Sequence, residues 1–373
     1  MDVQAELERH RRSLEAQIPQ LEVFDAHTHL GLNDPDGFRQ LPEQLLEMLR
    51  GAGARGAFVF PMHEPDGYAP ANDMVIAAAQ ASGGLLHPFC RVSPNGGAAV
   101  QEAQRALARG ARGIKLHPRA ERFTLDHPDV RRLAALAHER RLPILIHAGR
   151  GIPALGEHAV RLAAEFPDAR LILAHAAVCD LAWLWRVAPD HPNLLFDTSW
   201  WIPGDMLALF TLVPPGQILF ASDAPYGNTA GSFTVQLRYM LQAGLSAEQI
   251  RSIASLQSLR IAAGEPLVPA GPAVGERDGA PHLLLDRAAS HLLLGTMLTM
   301  RGGENGPEML ALARQACEVP DSVDDAPVLA EIRALLDGYE RATERAPDDR
   351  RRLGLLMLAC ALARTPDVPL PAG

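Results

Sequence analysis

PILIHAGRGIPALGEHAVRLAAEFPDARLILAH, residues 143–175, contains the strand–helix–strand unit from which the first part of this chain is built. Two short apolar runs, PILIH and LILAH, each end in a histidine, and a segment with helical spacing of its apolar residues lies between them. Continuous apolar strands separated by a helix predict parallel pairing, because the crossover must return the chain to the same edge of the sheet.

The same alternation runs through the first 264 residues. Eight apolar runs occur there, in the order LEVFDAH, GAFVF, LLHPFCRV, GIKLH, PILIH, LILAH, NLLFD and QILFASD. Eight strand–helix units in roughly 250 residues are the size of a (β/α)8 barrel. The alternative is an open doubly wound sheet, but no GxGxxG sequence follows the first run to form a nucleotide crevice. We therefore predict an α/β fold, a TIM-like (β/α)8 barrel with a C-terminal helical extension.

Helical spacing and linker composition divide the chain further. We predict an N-terminal helix over residues 1–20, the barrel over 21–264, a Pro- and Gly-rich linker over 265–282, and a small all-α domain over 283–373. The amphipathic helices of that last segment could form a homodimer interface, cover the mouth of the barrel or bind another protein. The sequence leaves these three alternatives open.

Composition excludes several classes of function. The formal net charge of −9 is spread thinly, which argues against a basic surface for nucleic acid. The four cysteines are widely scattered and fit neither a paired zinc motif nor a disulfide framework. The first 20 residues lack the apolar core of a signal peptide, and the longest apolar run, Leu353 to Ala363, is too short to span a bilayer. We predict a cytoplasmic protein with no nucleic-acid partner and no membrane association.

Histidines and an aspartate stand where the predicted strands end. They are His27 and His29 on the first strand, His117 on the fourth, His147 on the fifth, His175 on the sixth and Asp223 on the eighth. Reactive groups of such barrels lie at the C-terminal ends of the strands. Because residues two apart on a strand share a face, His27 and His29 can both point toward the barrel axis. Imidazoles with one carboxylate favour zinc, with manganese or iron as alternatives.

Taken in order, the motifs DAHTHLG, GIKLHP, PILIHAG, LILAHAA and ILFASDAPYG resemble the successive motifs of the amidohydrolase superfamily. The pattern, over about residues 21–264, is similar to that of the amidohydrolase-2 group, which includes aminocarboxymuconate-semialdehyde decarboxylase-like metal-dependent hydrolases. This resemblance implies a distorted (β/α)8 barrel with a divalent metal at its mouth, as one ion or two.

The resemblance also implies roles for individual residues. His27, His29, His147 and Asp223 match a one-metal ligand set, and His175 matches the general base or charge stabiliser of the sixth strand. The implied reaction is hydrolysis of a small carbonyl substrate, an amide, lactone or ester, by metal-activated water.

Non-oxidative decarboxylation of an aromatic or unsaturated acid is the alternative reaction within the same group. It would require an arginine to bind the substrate carboxylate, for which Arg91, Arg119 and Arg150 are the candidates beside His117. Either reaction implies a small-molecule substrate.

Lys115, within GIKLHP, is the only lysine of the 373 residues. A buried lysine amine can be neutral, whereas an arginine guanidinium stays protonated. In binuclear amidohydrolases a lysine carbamate bridges two metals, so Lys115 together with His175 could complete a second metal site. A partner for a substrate carboxylate and a buried ion pair are the other roles that we consider for Lys115.

Overall fold

The computed structural model describes residues 3–275, 282–302 and 305–372 and contains one eight-stranded parallel sheet. Its strands are β1 Val23–Leu30, β2 Ala54–Pro61, β3 Leu86–Arg91, β4 Gly113–Leu116, β5 Pro143–Ile146, β6 Arg170–Leu173, β7 Leu194–Asp197 and β8 Ile218–Leu219. Neighbours in the sheet follow chain order from β1 to β8. The predicted TIM-like (β/α)8 fold is thereby confirmed.

Helices follow the strands along the chain. The barrel segment contains α2 Pro42–Gly51, α3 Ala69–Ala81, α4 Ala99–Ala108, α5 Pro118–Glu121, α6 Pro128–Arg140, α7 Leu155–Glu165, α8 Leu181–Val187, α9 Pro203–Leu212, α10 Thr229–Gln242, α11 Ala247–Arg251 and α12 Gln257–Ala263. Several of these helices begin with proline, whose missing N–H costs nothing in the first turn. Within the described ranges, no helix has the length and apolar character needed to cross a membrane.

Alternation along the strands separates two buried layers. Leu145 and Ile172 belong to the cluster that fills the barrel, together with the rings of Phe24, Phe58 and Phe89. The strand neighbours of Leu145 and Ile172 pack instead in the larger cluster beneath the helices. Because both faces of each strand are covered, the strands are continuously apolar, as their sequences indicated.

The barrel closes between β1 and the chain that follows β8, and we call this junction the seam. There the Ala26 N–H donates to the Phe220 carbonyl over 2.9 Å, and the His29 N–H donates to the Ala224 carbonyl over 2.8 Å. The buried Asp25 carboxylate accepts hydrogen bonds from the Ser222 N–H and hydroxyl, at 2.9 and 2.6 Å. Asp25 therefore holds the seam together, which is a structural role.

Helices at the two ends of the chain pack together. They are α1 Val3–Glu15, α13 Leu283–Met300, α14 Gly306–Ala316, α15 Ala326–Arg345 and α16 Leu353–Ala363. Leu7 of α1 joins the cluster formed by the C-terminal helices, and Leu14 joins the barrel core, so α1 contacts both. Helix α1 ends at Glu15 rather than at the predicted residue 20, because Pro19 restricts the chain before it.

The predicted linker is described only in part. Residues 265–275 contain neither helix nor strand, and residues 276–281 lie outside the described ranges. The division into a barrel and a separate all-α domain stays a proposal.

A buried arginine attaches the C-terminal segment to the barrel. Arg238, on α10, donates from Nε to the Thr365 hydroxyl over 2.9 Å and from Nη2 to the carbonyls of Thr365 and Val368, each over 3.1 Å. Burial lowers the pKa of Arg238 to about 10. The guanidinium thus replaces its lost hydration with backbone and hydroxyl acceptors that follow α16.

Replacing Arg238 with alanine should destabilise the protein, because two buried carbonyls would lose their donor. We expect the free energy of unfolding to fall by about 2–4 kcal/mol. Urea unfolding followed by circular dichroism would measure it. The control is Gln242→Ala, on the same helix, which removes two exposed hydrogen bonds with Asp367, one to its carboxylate and one from its N–H. Because both are exposed to water, this change should cost less than about 1 kcal/mol. Equal effects of the two substitutions would contradict this account.

Candidate active site

Three side chains converge at the seam. His27 Nε2 and His29 Nε2 lie 3.2 Å apart, and Asp223 Oδ1 lies 3.1 Å from each of them. The period of two along β1 places both imidazoles on one face, and the seam brings Asp223 beside them. We call these three residues the seam triad.

His27 is oriented by the end of β7. Its Nδ1 donates to Asp197 Oδ2 over 2.7 Å, because an ionised carboxylate can only accept. This hydrogen bond directs Nε2 toward His29 and Asp223, so Nε2 is the nitrogen of His27 that would face a bound ion. Asp197 Oδ1 in turn accepts from the N–H groups of His175 and Ser199, both at 3.0 Å, so its own position is fixed.

His147 and His175 form a second pair beside the triad. His175 Nδ1 lies 2.8 Å from the Ser199 carbonyl, so this nitrogen must carry the proton, and its Nε2 accepts from His147 Nδ1 over 2.9 Å. The His147 ring also stacks on His117 with centroids 3.8 Å apart. Gly149 leaves space for this ring, since a Cβ there would lie 2.6 Å from His147 Nε2.

His147 was predicted as a fourth metal ligand. Of the described residues that line the cavity at the barrel mouth, only the seam triad forms a close ligand group, and His147 lies against His175. Its role as a ligand stays a proposal.

Two of these residues occupy a backbone conformation that is costly for a residue with a side chain. His175 has φ +57° and Asp223 has φ +60°, in the left-handed region. Such positions cost of order 1–3 kcal/mol each and concentrate at functional sites. After Asp223 the chain turns sharply, and Gly227 has no room for a Cβ against the Ser222 carbonyl.

Electrostatics set the protonation of the triad. Burial lowers the pKa of His29 to about 3, so its ring is neutral at neutral pH. Burial and the charge of Lys115 act to lower the pKa of His27, but the carboxylates of Asp197 and Asp223 outweigh them and raise it. Burial likewise opposes ionisation of Asp223, yet the charge of His27 and hydrogen bonds from both triad histidines hold its pKa well below the usual range.

Lys115 lies beside the triad. Its Nζ is 3.4 Å from His27 Nε2 and 4.5 Å from the centre of the Phe60 ring, and the residue is completely buried. Burial, aided by the charge of Arg91, lowers the pKa of Lys115 to about 7. A substantial fraction of the amine is therefore neutral at physiological pH, which no arginine would permit.

A cavity of about 570 Å³ opens above these groups at the mouth of the barrel. All of the sequence-predicted site residues line it: His27, His29, Arg91, Lys115, His117, Arg119, His147, Arg150, His175 and Asp223. Its volume falls in the range of small-molecule sites.

The three cavity arginines differ in their partners. Arg91 is paired with Glu121 at 2.6 Å, and both side chains are buried. Arg150 lies over the Trp200 ring at 5.5 Å. Within the described part of the chain, Arg119 and Arg150 have no carboxylate partner at ion-pair distance.

The seam triad fits a divalent metal. It offers two imidazole nitrogens and one carboxylate oxygen within 4.8 Å of one another. His29 is neutral, as a ligand must be, and the His27 Nδ1–Asp197 hydrogen bond is the usual outer support of a metal-binding histidine. His27, His29 and Asp223 are the residues that would hold the ion.

Sequence reasoning missed two residues that support the site. Asp197 ends the predicted strand NLLFD, so the rule that identified the histidines could have identified it. Glu121, the partner of Arg91, lies on the short helix α5 and carries no comparable signal.

Comparison with known proteins agrees with this geometry. The sequence model of the family described as Amidohydrolase matches residues 24–256. No curated protein matches the chain.

Solved structures of similar fold come from several bacteria. An uncharacterised TIM-barrel protein from Bordetella bronchiseptica is 18% identical with a TM-score of 0.53, covering 65% of this chain and 99% of that one. The 2,6-dihydroxybenzoate decarboxylase from Rhizobium is 14% identical with a TM-score of 0.53, over the same 65% and 99%. The 5-carboxyvanillate decarboxylase from Sphingomonas paucimobilis is 14% identical with a TM-score of 0.51, again over 65% and 99%. These likenesses support the fold.

Asp197→Asn should weaken metal binding, because the amide can present N–H to His27 and disturb the tautomer that leaves Nε2 free. We expect a loss of about 10–100-fold in affinity. Competition with a fluorescent zinc chelator would measure it. The control, Asp205→Asn, alters a carboxylate that accepts from Trp200 Nε1 at 2.6 Å and should leave metal affinity unchanged. Equal affinity of Asp197→Asn and the unmutated protein would refute the orienting role.

Proposed function

We propose a reaction for this chain from the premise that it belongs to the amidohydrolase family and is a metal-dependent enzyme. The reaction is hydrolysis of a small carbonyl compound, an amide, lactone or ester. The observation that carries the proposal is the convergence of His27, His29 and Asp223 within 4.8 Å at a cavity of small-molecule size. Zinc suits two imidazoles and a carboxylate, with manganese or iron as alternatives.

A bound divalent ion would polarise the substrate carbonyl and make water a competent nucleophile at neutral pH. The side chains of the protein would then accept and donate the protons of the reaction. Asp223, ionised in the free protein, takes a proton from the attacking water and passes it to the leaving nitrogen or oxygen as the carbonyl carbon–heteroatom bond breaks. His175 assists through Nε2, which remains an acceptor because Nδ1 donates to Ser199.

Asp223→Asn should reduce turnover by at least about 100-fold, because an amide cannot accept and return the proton. The measurement is a steady-state assay on a panel of lactones, amides and esters, with metal content and circular dichroism recorded for each protein. Asp34→Asn is the control, since Asp34 lines the same cavity but accepts from Tyr226 rather than joining the triad. Normal turnover by Asp223→Asn, or no turnover of any panel member by the unmutated protein, would count against hydrolysis.

Decarboxylation of an aromatic or unsaturated acid is a second candidate, favoured by Arg119 and Arg150. Both line the cavity without an acidic partner among the described residues, and a guanidinium is well suited to a substrate carboxylate. Two proteins of similar fold act as decarboxylases, of 2,6-dihydroxybenzoate and 5-carboxyvanillate. In this reaction the bond to the carboxyl carbon breaks, carbon dioxide leaves, and a proton takes its place on the substrate carbon.

Carbon dioxide release from hydroxybenzoates and dienoic acids separates the two candidates. Release of carbon dioxide without cleavage of any lactone, amide or ester would favour decarboxylation. Cleavage of one of those compounds without release of carbon dioxide would favour hydrolysis. If the arginines bind a substrate carboxylate, Arg119→Met and Arg150→Met should raise KM at least about tenfold. Arg91→Met is a poor test, because it would leave the buried Glu121 carboxylate without its cation.

Metal stoichiometry tests the role of Lys115. We expect elemental mass spectrometry of protein purified without chelator to give about one ion per chain, because the described site residues form one close ligand group, the triad. Lys115→Met should leave this value unchanged. Two ions, falling to one in Lys115→Met, would instead support a carbamate bridge with His175 as a ligand.

The cellular setting and assembly are further proposals. The four cysteines are scattered and free, which supports a cytoplasmic enzyme. A homodimer through the C-terminal helices stays a proposal that the mass in solution would decide.

A further inference from the structure

We propose that Met300 and Met357, on helices α13 and α16, form a specificity wall that binds the apolar part of the substrate. The inference rests on the proposed function, which concerns the carbonyl or carboxylate group that reacts. It adds a binding site for the apolar part of the same substrate. The ligand class is a carbonyl or carboxylate compound that carries an alkyl or aryl substituent.

Both methionines line the active-site cavity, although they lie far from the barrel strands in sequence. Met300 is a large apolar side chain with 41% of its surface exposed, and Met357 is half-buried against the barrel core. The polar groups of the cavity belong to the barrel, where the triad, Lys115 and the arginines lie. A thioether on an unbranched chain adapts to apolar ligands of varied shape.

The wall lies outside the segment that identifies the family. The family match ends at residue 256, before both methionines. The fold resemblance extends over nearly all of the Bordetella protein but 65% of this chain. A substrate contact contributed by the C-terminal helices would therefore distinguish this enzyme from those that share its barrel and its metal ligands.

The C-terminal segment is fixed relative to the triad by two sets of contacts. Arg238 holds the chain that follows α16, as described above. On the other side, the Arg350 guanidinium lies 4.6 Å from the centre of the Phe38 ring. The ring centres of Phe38 and Tyr226 are 4.7 Å apart. The Tyr226 ring in turn packs edge-on against the His29 ring, with centres 5.5 Å apart. These contacts run from the start of α16 to a triad histidine. A wall held in this way is preorganised, which reduces the entropy lost on binding.

The test uses two probes that share a carboxylate, benzoate and 4-hexylbenzoate. Isothermal titration calorimetry of the full-length protein with its own metal gives the ratio of their Kd values. We expect the hexyl group to tighten binding at least about tenfold, because several methylenes leave water. In the double variant Met300→Gln/Met357→Gln, which keeps side-chain length, the ratio of the two Kd values should fall to about threefold or less. The ratio separates loss of the hexyl contact from any change in binding of the shared benzoate group.

Leu294→Gln is the matched control. Leu294 lies on α13 and is 46% exposed, but it does not line the cavity, so the hexyl gain should persist in this variant. The single variant Met300→Gln changes an exposed residue and should fold normally. It should lose part of the increase in affinity that the hexyl group gives. An undiminished hexyl gain in the double variant, or no preference for the hexyl probe in the unmutated protein, would overturn the proposal. Failure of both probes to bind counts as no preference.

Binding and turnover separate the two proposals. A hexyl gain that depends on the methionines, with no hydrolysis of any panel substrate, would retain the wall and reject the proposed reaction. Hydrolysis of a panel substrate, together with a hexyl gain that is the same in the methionine variants, would support the proposed reaction and reject the wall.

Discussion

Closure of the barrel at the seam is the constraint on which the site depends. Strand β8 has only two residues, so β1 meets the chain beyond it through isolated hydrogen bonds and through the buried Asp25 carboxylate. The same junction places Asp223 against His27 and His29. The residues that complete the fold and those that would hold the metal are therefore neighbours along the same short segments, and an error in closing the barrel would also dismantle the ligand group.

Much of this arrangement could be predicted from sequence. Strand order followed from apolar runs and crossovers, and the common face of His27 and His29 followed from the period of two. What periodicity cannot give is the rotamer of a side chain at a strand end. His147 ends β5 as expected, yet its ring stacks on His117 and bonds to His175, an outcome decided by neighbours from other strands.

Long-range pairings were beyond sequence reasoning for a related reason. Arg91 ends β3 and looked available to a substrate, but Glu121 from the helix after β4 reaches it. The helices that carry Met300 and Met357 lie within residues 283–373, the segment that the sequence predicted to be helical. Their packing against the mouth was one of three alternatives, because an amphipathic pattern shows that a face is buried without showing which surface covers it.

Lys115 has a consequence for the chemical behaviour of the whole molecule. It is the only lysine in the sequence and is completely buried, so the folded protein presents no lysine amine at its surface. Apart from any free α-amino group, acylating reagents and amine-directed crosslinkers would thus meet arginine guanidinium groups, which do not react with them under ordinary conditions. Acylation of Lys115 becomes a sensor of access to the barrel interior, with a rate set by opening of the site or of the fold rather than by surface chemistry.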